Sequence, residues 1–435
     1  MSRTIGRFTD STFGERLAQR KRTKRRIWVK VNVEPQSKKR RDTDKPDEIF
    51  HKAVVRALEQ RNRRLPFRVP VAIRMHFQVG IEKAAPQIDK LPKHYLDLLQ
   101  AQREQGVAGS PKLLLQDDNL VKALVCTSSL ATSPGSKPHV FFEISTLKDF
   151  VQELLLYDRI VNRYRERVPE DIRRLFGSPF SDDLRNTGAI REYVQSRQQR
   201  DSLKGFYKNF ADMMLPSRQE AAQDELLRLR EPKPVQFAKI YEELLNRKYR
   251  FPDLHQSVAK MIRQVFRVGI ATVDLGPPAT QKGQSDEFKG RVQKALVKMR
   301  ENYPILDPLL TTVGITVIYV PPASGQKIDL DNLAMRVIPY VRIELKPPAT
   351  LLHALQHYKP GAIDDNMTAR LKELHRVERN QVTRYQVFQI PRLDDDPPEG
   401  NVRMMLHGRN EFEDPWATCR AALDSWAQLP LDTEH

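Results

Sequence analysis

The most constraining feature of this sequence is a weak internal repeat. The segment that begins at Val31 aligns without a gap with the segment that begins at Val273, at a constant offset of 242 residues. Over 61 aligned positions 12 residues are identical, and Asp89 with Asp331 and Leu91 with Leu333 are among them. A repeat of this length predicts two modules of the same fold and of one ancestry within the chain.

Hydrophobic patterning assigns the same elements to both copies. Each copy is predicted to contain a strand, a Pro-containing loop, a helix, a second strand, an acidic segment that leads into a short helix, and two closing strands around a Gly/Pro turn. In the first copy the longer elements are predicted at 28–33, 47–60, 69–79, 120–127 and 139–144. In the second copy they are predicted at 270–275, 288–302, 312–320, 382–390 and 401–406. The predicted fold class is therefore α+β, with two tandem modules.

The segment between the copies has a different character. It is rich in Arg, Glu and Leu with helical spacing, and repeated prolines divide it, which predicts several amphipathic charged helices. The predicted organisation is a basic N-terminal arm (1–25), module 1 (26–146), a helical insert (147–265), module 2 (266–408) and a C-terminal tail (409–435). The tail contains Trp416 and Trp426 and is predicted to form a short docked helix.

Positive charge is concentrated at the beginning of the chain. The whole protein has a formal net charge of +18, and residues 1–41 alone contribute 14 Lys or Arg against 3 Asp or Glu. Such an arm is typical of proteins that bind nucleic-acid phosphates, although a solvated tail without a partner remains the alternative. The predicted phosphate-contacting residues are Lys24, Arg25, Arg26, Lys38, Lys39, Arg40 and Arg41, with Lys282 as a sparse counterpart in module 2.

Other function classes are disfavoured by composition. No stretch reaches the ~18 apolar residues of a spanning helix, and the first residues do not resemble a signal peptide. Cys126 and Cys419, the two cysteines, match no zinc or redox spacing. We therefore expect a soluble protein of a reducing, cytoplasmic compartment, associated with the nucleoid if the source is bacterial, and no membrane partner.

An acidic pattern in module 2 predicts a metal site. Asp329 and Asp331 are two residues apart, so both carboxylates can point to one side of an extended segment. A distant Asp364-Asp365 pair could supply a third carboxylate, and module 1 has weaker candidates in Asp89 and Asp118. Oxygen ligands of this kind favour Mg²⁺, with Mn²⁺ as a substitute. The alternative is that Asp-x-Asp-Asn is an ordinary turn and helix cap.

The order of these elements, with Asp-x-Asp-Asn-Leu at 329–333 and a later Asp-Asp pair, resembles the RusA-type Holliday-junction resolvases. That resemblance implies a small α+β fold that acts as a dimer on branched DNA and cleaves phosphodiesters with Mg²⁺ held by three aspartates. It assigns those roles to Asp329, Asp331 and Asp365 in module 2. The lysine that assists catalysis in the family is replaced by Met335, with Arg336 beside it.

Module 1 departs from the family pattern in the complementary way. Gln87 replaces the first aspartate, whereas Asp89 is retained and Lys93 stands at the position of the family's catalytic lysine. Asp118 belongs to the later acidic pair of this copy. The resemblance thus implies a degraded site in module 1 and a nearly complete site in module 2.

Three functions remain open from the sequence. The first is a Mg²⁺-dependent, structure-selective DNA endonuclease with roles in recombination or repair, in which one chain imitates the family's dimer or forms a homodimer. The second is a catalytically impaired protein of the same fold that holds branched or duplex DNA mainly through phosphate and shape. The third is a scaffold subunit whose helical insert binds another protein.

Overall fold

The computed structural model describes residues 12–38, 45–62, 65–80, 86–104, 107, 110–131, 135–167, 238–239, 241–242, 272–279, 285–302, 312–325, 327–345, 382–392, 396–407 and 415–428. The first half of the fold consists of α1 (Thr12–Arg25), β1 (Ile27–Val31), α2 (Lys45–Gln60), β2 (Val71–Val79), α3 (Leu91–Leu99), a 3-10 turn (Asp118–Leu120), β3 (Val121–Leu130), β4 (His139–Thr146) and α4 (Leu147–Arg167). The second half consists of β5 (Thr272–Gly276), α5 (Ser285–Asn302), β6 (Val313–Val320), α6 (Leu330–Leu345), β7 (Val382–Gln389), β8 (Asn401–His407) and α7 (Pro415–Gln428). The protein is therefore a mixed α+β structure.

The described strands form one eight-stranded mixed sheet with a symmetrical order. The order is β1-β4-β2-β3-β7-β6-β8-β5, so each strand of the first half has a counterpart at the same distance from the centre. β2 is parallel to β3 and antiparallel to β4, and β6 is likewise parallel to β7 and antiparallel to β8. The antiparallel pair β3–β7 joins the two halves through residues 123–127 and 384–388.

The register of pairing also agrees between the halves, with one difference. In both parallel pairs the register shifts after the first residue pair, next to Val71 in β2 and next to Val313 in β6. In the outermost strand pairs, however, Val273 of β5 has the same position relative to β8 that Val29 of β1 has relative to β4. The structural counterpart of Val273 is therefore Val29, two residues before Val31, which the gapless alignment pairs with it. The difference arises because the loops that follow β1 and β5 differ in length.

One face of the sheet is covered by four helices and forms a continuous core. In β2 the odd-numbered residues from Val71 to Val79 are buried on this face, as expected for a strand with one face against a core. The core includes Phe50 and Tyr95 from the first half and Phe288 and Val337 from the second half. Because one apolar cluster spans both halves, neither half has a core that is separate from the other.

The opposite face is covered by helices from the beginning, middle and end of the chain. Phe150 and Leu154 of α4 pack with Cys419 and Leu423 of α7 in a second apolar cluster. α1 packs on α7 and α4. Cys126 and Cys419 are both buried free thiols. Within the described part of the chain, no helix is both long and apolar enough to cross a membrane.

The basic segment around residues 20–26 is a docked helix and not a free arm. The Arg26 guanidinium is buried and lies 2.5 Å from Glu153, 3.0 Å from Asp424 and 3.1 Å from Glu143. Arg25 pairs with Asp149 at 2.5 Å. Since a buried guanidinium with three carboxylate partners cannot face a nucleic acid, we correct the predicted role of Arg26 from phosphate contact to internal ion pairing.

Candidate metal centre

The start of α6 positions two of the predicted aspartates. Leu330, Leu333 and Val337 are buried and fix this helix on the core, so the residues around its first turn are held against the end of β6. Asp329 precedes the helix, and its backbone oxygen accepts a hydrogen bond from the Leu333 amide at 2.9 Å. Asp331 lies in the first helical turn, where the helix dipole favours a negative charge.

The third carboxylate comes from the other half of the protein. Asp118 lies in the 3-10 turn immediately before β3, and Asp117 caps this turn by accepting a hydrogen bond from the Asn119 amide at 2.8 Å. β7 is antiparallel to β3 and parallel to β6. The first residues of β3 and the last residues of β6 therefore lie at the same end of the strands. This arrangement brings Asp118 next to the start of α6.

Asp118, Asp329 and Asp331 form a compact carboxylate cluster. One ligand oxygen from each residue lies within 4.8 Å of the other two. The Asp331 side chain is only 1% exposed, and the other two are half-buried. Asp329 Oδ1 and Asp331 Oδ2 are buried and accept no hydrogen bond from the described residues, although Asp331 Oδ2 lies 3.4 Å from an ammonium. Three converging carboxylates with two buried oxygens lacking hydrogen bonds fit a hard divalent cation such as Mg²⁺.

A lysine from the first half is in contact with this cluster. Lys93 of α3 places its ammonium 3.3 Å from Asp118 Oδ2, 3.4 Å from Asp331 Oδ2 and 3.6 Å from Asp97 Oδ1. Burial would lower the pKa of Lys93, but the three aspartates outweigh it and raise that pKa above its usual value. The ammonium therefore stays charged and partly neutralises the cluster.

The aspartates differ in their affinity for protons. Burial, with the neighbouring Asp118 and Asp329, raises the pKa of Asp331 to about 6 despite the opposing charge of Lys93. Burial and the Asp118 charge also raise the pKa of Asp329. For Asp118, burial is outweighed by Lys93 and by the Gln100 side chain, and its pKa is lowered. One carboxyl of the cluster is therefore poised to exchange a proton near neutral pH.

The sequence-predicted acidic residues have different outcomes. Asp329 and Asp331 lie together, and Asp118 lies beside them although it belongs to the first half of the fold. Asp365 lies outside the described residues. Asp89 is not part of this cluster, because its carboxylate contacts Arg342 at 3.3 Å. Neither the position of Asp118 beside Asp329 and Asp331 nor the contact of Arg342 with Asp89 had a local sequence signal.

The basic residues predicted to contact phosphate are also distributed differently. Lys24 is exposed, and Lys38 is exposed with its ammonium 2.9 Å from Asp97. Arg25 keeps a half-exposed side chain beside Asp149. Lys39, Arg40, Arg41 and Lys282 lie outside the described residues. Met335, where the sequence resemblance would place a lysine, is half-buried in α6, as is Arg336.

Comparison of the chain with protein-family models, with curated proteins and with solved structures finds no significant match.

Proposed function

We propose that this protein is a Mg²⁺-dependent, structure-selective DNA endonuclease built from two RusA-like modules, with Mn²⁺ able to replace Mg²⁺. The observation that carries this proposal is the cluster of Asp118, Asp329 and Asp331 with Lys93 in contact. The resemblance of the sequence to the RusA-type resolvases agrees with it, since the same residue types are expected in that family.

The chemistry of the cluster suits phosphodiester hydrolysis. A divalent cation held by these carboxylates would lower the pKa of an attacking water and neutralise charge on the leaving oxygen. The aspartates would bind and orient that cation, and because a carboxyl binds metal only after losing its proton, the pKa of about 6 at Asp331 would make metal binding weaker below that pH. Lys93 places a fixed positive charge beside the cluster, which favours the approach of an anionic phosphate.

The symmetry of the sheet supports a tandem origin. A duplicated module that pairs through β3 and β7 would yield the observed strand order, as two subunits of a dimer would when joined in one chain. We infer that the single chain imitates the family's dimer. The net charge of +18 supports a polyanionic partner, and branched DNA is the substrate class that the resemblance implies.

The proposal is tested by cleavage of a labelled four-way junction and a matched linear duplex with Mg²⁺ or Mn²⁺. We expect the parent protein to cut the junction in preference to the duplex, and Asp331→Asn to cut neither while still binding the junction. Asp117→Asn is the matched control, because an asparagine oxygen can still cap the 3-10 turn. Equal cutting by the parent and by Asp331→Asn would contradict the proposal.

One observation favours a second candidate, a protein that holds DNA without cutting it. The Lys93 ammonium already contacts two carboxylates of the cluster and can stabilise them without a metal. Salt-sensitive junction binding without cleavage by either protein would establish this alternative. Absence of junction binding at low salt would exclude both candidates and leave a scaffold role for the helical insert.

A further inference from the structure

The internal symmetry defines a second pocket that mirrors the metal centre. At the offset of 242 residues, Gln87 corresponds to Asp329 and Asp89 to Asp331. The neighbouring positions agree in burial, since Ile88 is buried as Leu330 is. Leu91 and Leu333 likewise are both fully buried. The second pocket is therefore placed on the core in the same way as the first.

A guanidinium occupies this second pocket. The Nη2 atom of Arg342, from α6, lies 3.1 Å from Gln87 Oε1 and 3.3 Å from Asp89 Oδ1. One nitrogen thus joins the two side chains that correspond to Asp329 and Asp331. Asp89 is 1% exposed, and burial raises its pKa against the opposing charges of Arg342 and Lys90. A buried carboxylate of this kind needs a positive partner.

The residue that corresponds to Arg342 in the first half is Gln100, at the end of α3. Helix positions around it match, because Leu99 and Val341 are both fully buried. Gln100 adjoins Asp118 and lowers the pKa of that carboxyl. At this pair of equivalent positions, the metal centre therefore has the neutral amide of Gln100, whereas the second pocket has the permanent positive charge of Arg342.

We propose that Arg342 is a built-in substitute for the divalent cation in the second pocket, which leaves one metal centre per chain. A guanidinium is charged at every relevant pH and is delivered by the fold itself, so the pocket keeps its charge balance without a metal. Gln87 fits this role, because its neutral amide accepts a hydrogen bond from Arg342 where a second carboxylate would add charge. If the protein is the nuclease proposed above, one metal centre per chain means that each bound chain cuts one DNA strand.

The test uses Mn²⁺ binding, measured by electron paramagnetic resonance, in variants that exchange the pocket residues. We expect the parent to bind one Mn²⁺ per chain and Asp331→Asn to bind none. In the Asp331→Asn background, Gln87→Asp with Arg342→Gln gives positions 87, 89 and 342 the residue types of positions 329, 331 and 100, and we expect one Mn²⁺ site to return. Adding Asp89→Asn should remove it again.

The reciprocal variant tests the same idea at the first pocket. Gln100→Arg in the otherwise unchanged protein should bring a guanidinium to the metal centre and abolish Mn²⁺ binding. Circular dichroism and the unfolding temperature establish that each variant is folded. For variants that are folded, failure of Gln87→Asp with Arg342→Gln to gain a site would overturn the proposal. Two Mn²⁺ sites in the parent, one of them lost with Asp89→Asn, would also overturn it.

These outcomes are distinguishable from failure of the proposed function. A parent protein that binds one Mn²⁺ through Asp331 but cuts no DNA would contradict the nuclease and leave the role of Arg342 intact. A parent that cuts junctions with two functional metal sites would confirm a nuclease and contradict the role of Arg342.

Discussion

The Nζ atom of Lys93 lies 3.4 Å from Oδ2 of Asp331, although the two residues belong to different halves of the protein. Asp118 joins them from the same half as Lys93, with its Oδ2 atom 3.3 Å from the same ammonium. The candidate centre therefore exists only when α3, α6 and the start of β3 are packed together. Its properties should depend on contributions from both halves of the fold.

Asp118 should be as important to metal binding as the aspartates of α6. Asp118→Asn removes one of three negative ligands, so we expect Mn²⁺ affinity to fall by at least about 100-fold, the upper end of the loss of about 10–100-fold from an outer-shell change. Calorimetric titration measures this, with Asp117→Asn as the control that keeps the same turn. Equal affinities for both variants would show that Asp118 is not a ligand.

Lys93 should hold the pKa of Asp331 down. In Lys93→Met the ammonium is lost while burial and the other carboxylates remain, so we expect the pKa of Asp331 to rise above about 6. Carbon-detected NMR titration of the carboxyl groups measures this in the metal-free protein. Lys90→Met, at an exposed position just before α3, is the control. An unchanged pKa in Lys93→Met would mean that the ion pair is not formed in solution.

The metal-free protein should become less stable as the pH rises through the range of Asp331 titration. The folded-state pKa of about 6 lies above the ordinary value of 3.8, so the folded state binds the proton more tightly between these values. The contribution is a destabilisation on the order of 3 kcal/mol, complete above pH 6 and absent below pH 3.8.

Urea unfolding at several pH values, with and without Mg²⁺, measures this effect. We expect metal-free Asp331→Asn to be more stable than the parent at pH 8, and the difference to shrink below pH 6. Mg²⁺ should stabilise the parent at pH 8 and leave the variant unchanged, because only the folded centre binds the ion. Equal Mg²⁺ stabilisation of both proteins would argue for a metal site elsewhere.

The buried ion network around Arg26 should be essential for stability and not for DNA binding. Arg26→Met leaves Glu143, Glu153 and Asp424 without this cation, and breaking a buried pair from one side costs about 3–5 kcal/mol. Lys24→Met, two residues earlier and exposed, should cost little. Chemical unfolding compares the two variants, and a loss of junction affinity without loss of stability in Arg26→Met would restore its predicted role in phosphate binding.

Much of the secondary structure follows from local sequence. Alternation of apolar residues predicts β2, and a long apolar run predicts β6. Both predicted ranges agree with the observed strands within two residues at either end. The helix of residues 47–60 begins two residues earlier than predicted, at Lys45. These elements could be predicted because period-2 and helical patterns depend only on which faces are buried.

The position of each charged group was decided by the tertiary structure. The sequence by itself predicted that the carboxylates of Asp329 and Asp331 can reach one cation, and that the two halves have the same order of elements. Only the pairing of β3 with β7 decided that Asp118 and Lys93 complete that site, because residues more than 200 positions apart meet there. Likewise, only packing decided that Arg26 and Arg342 are internal cations, since an arginine in sequence looks the same whether its partner is a phosphate or a buried carboxylate.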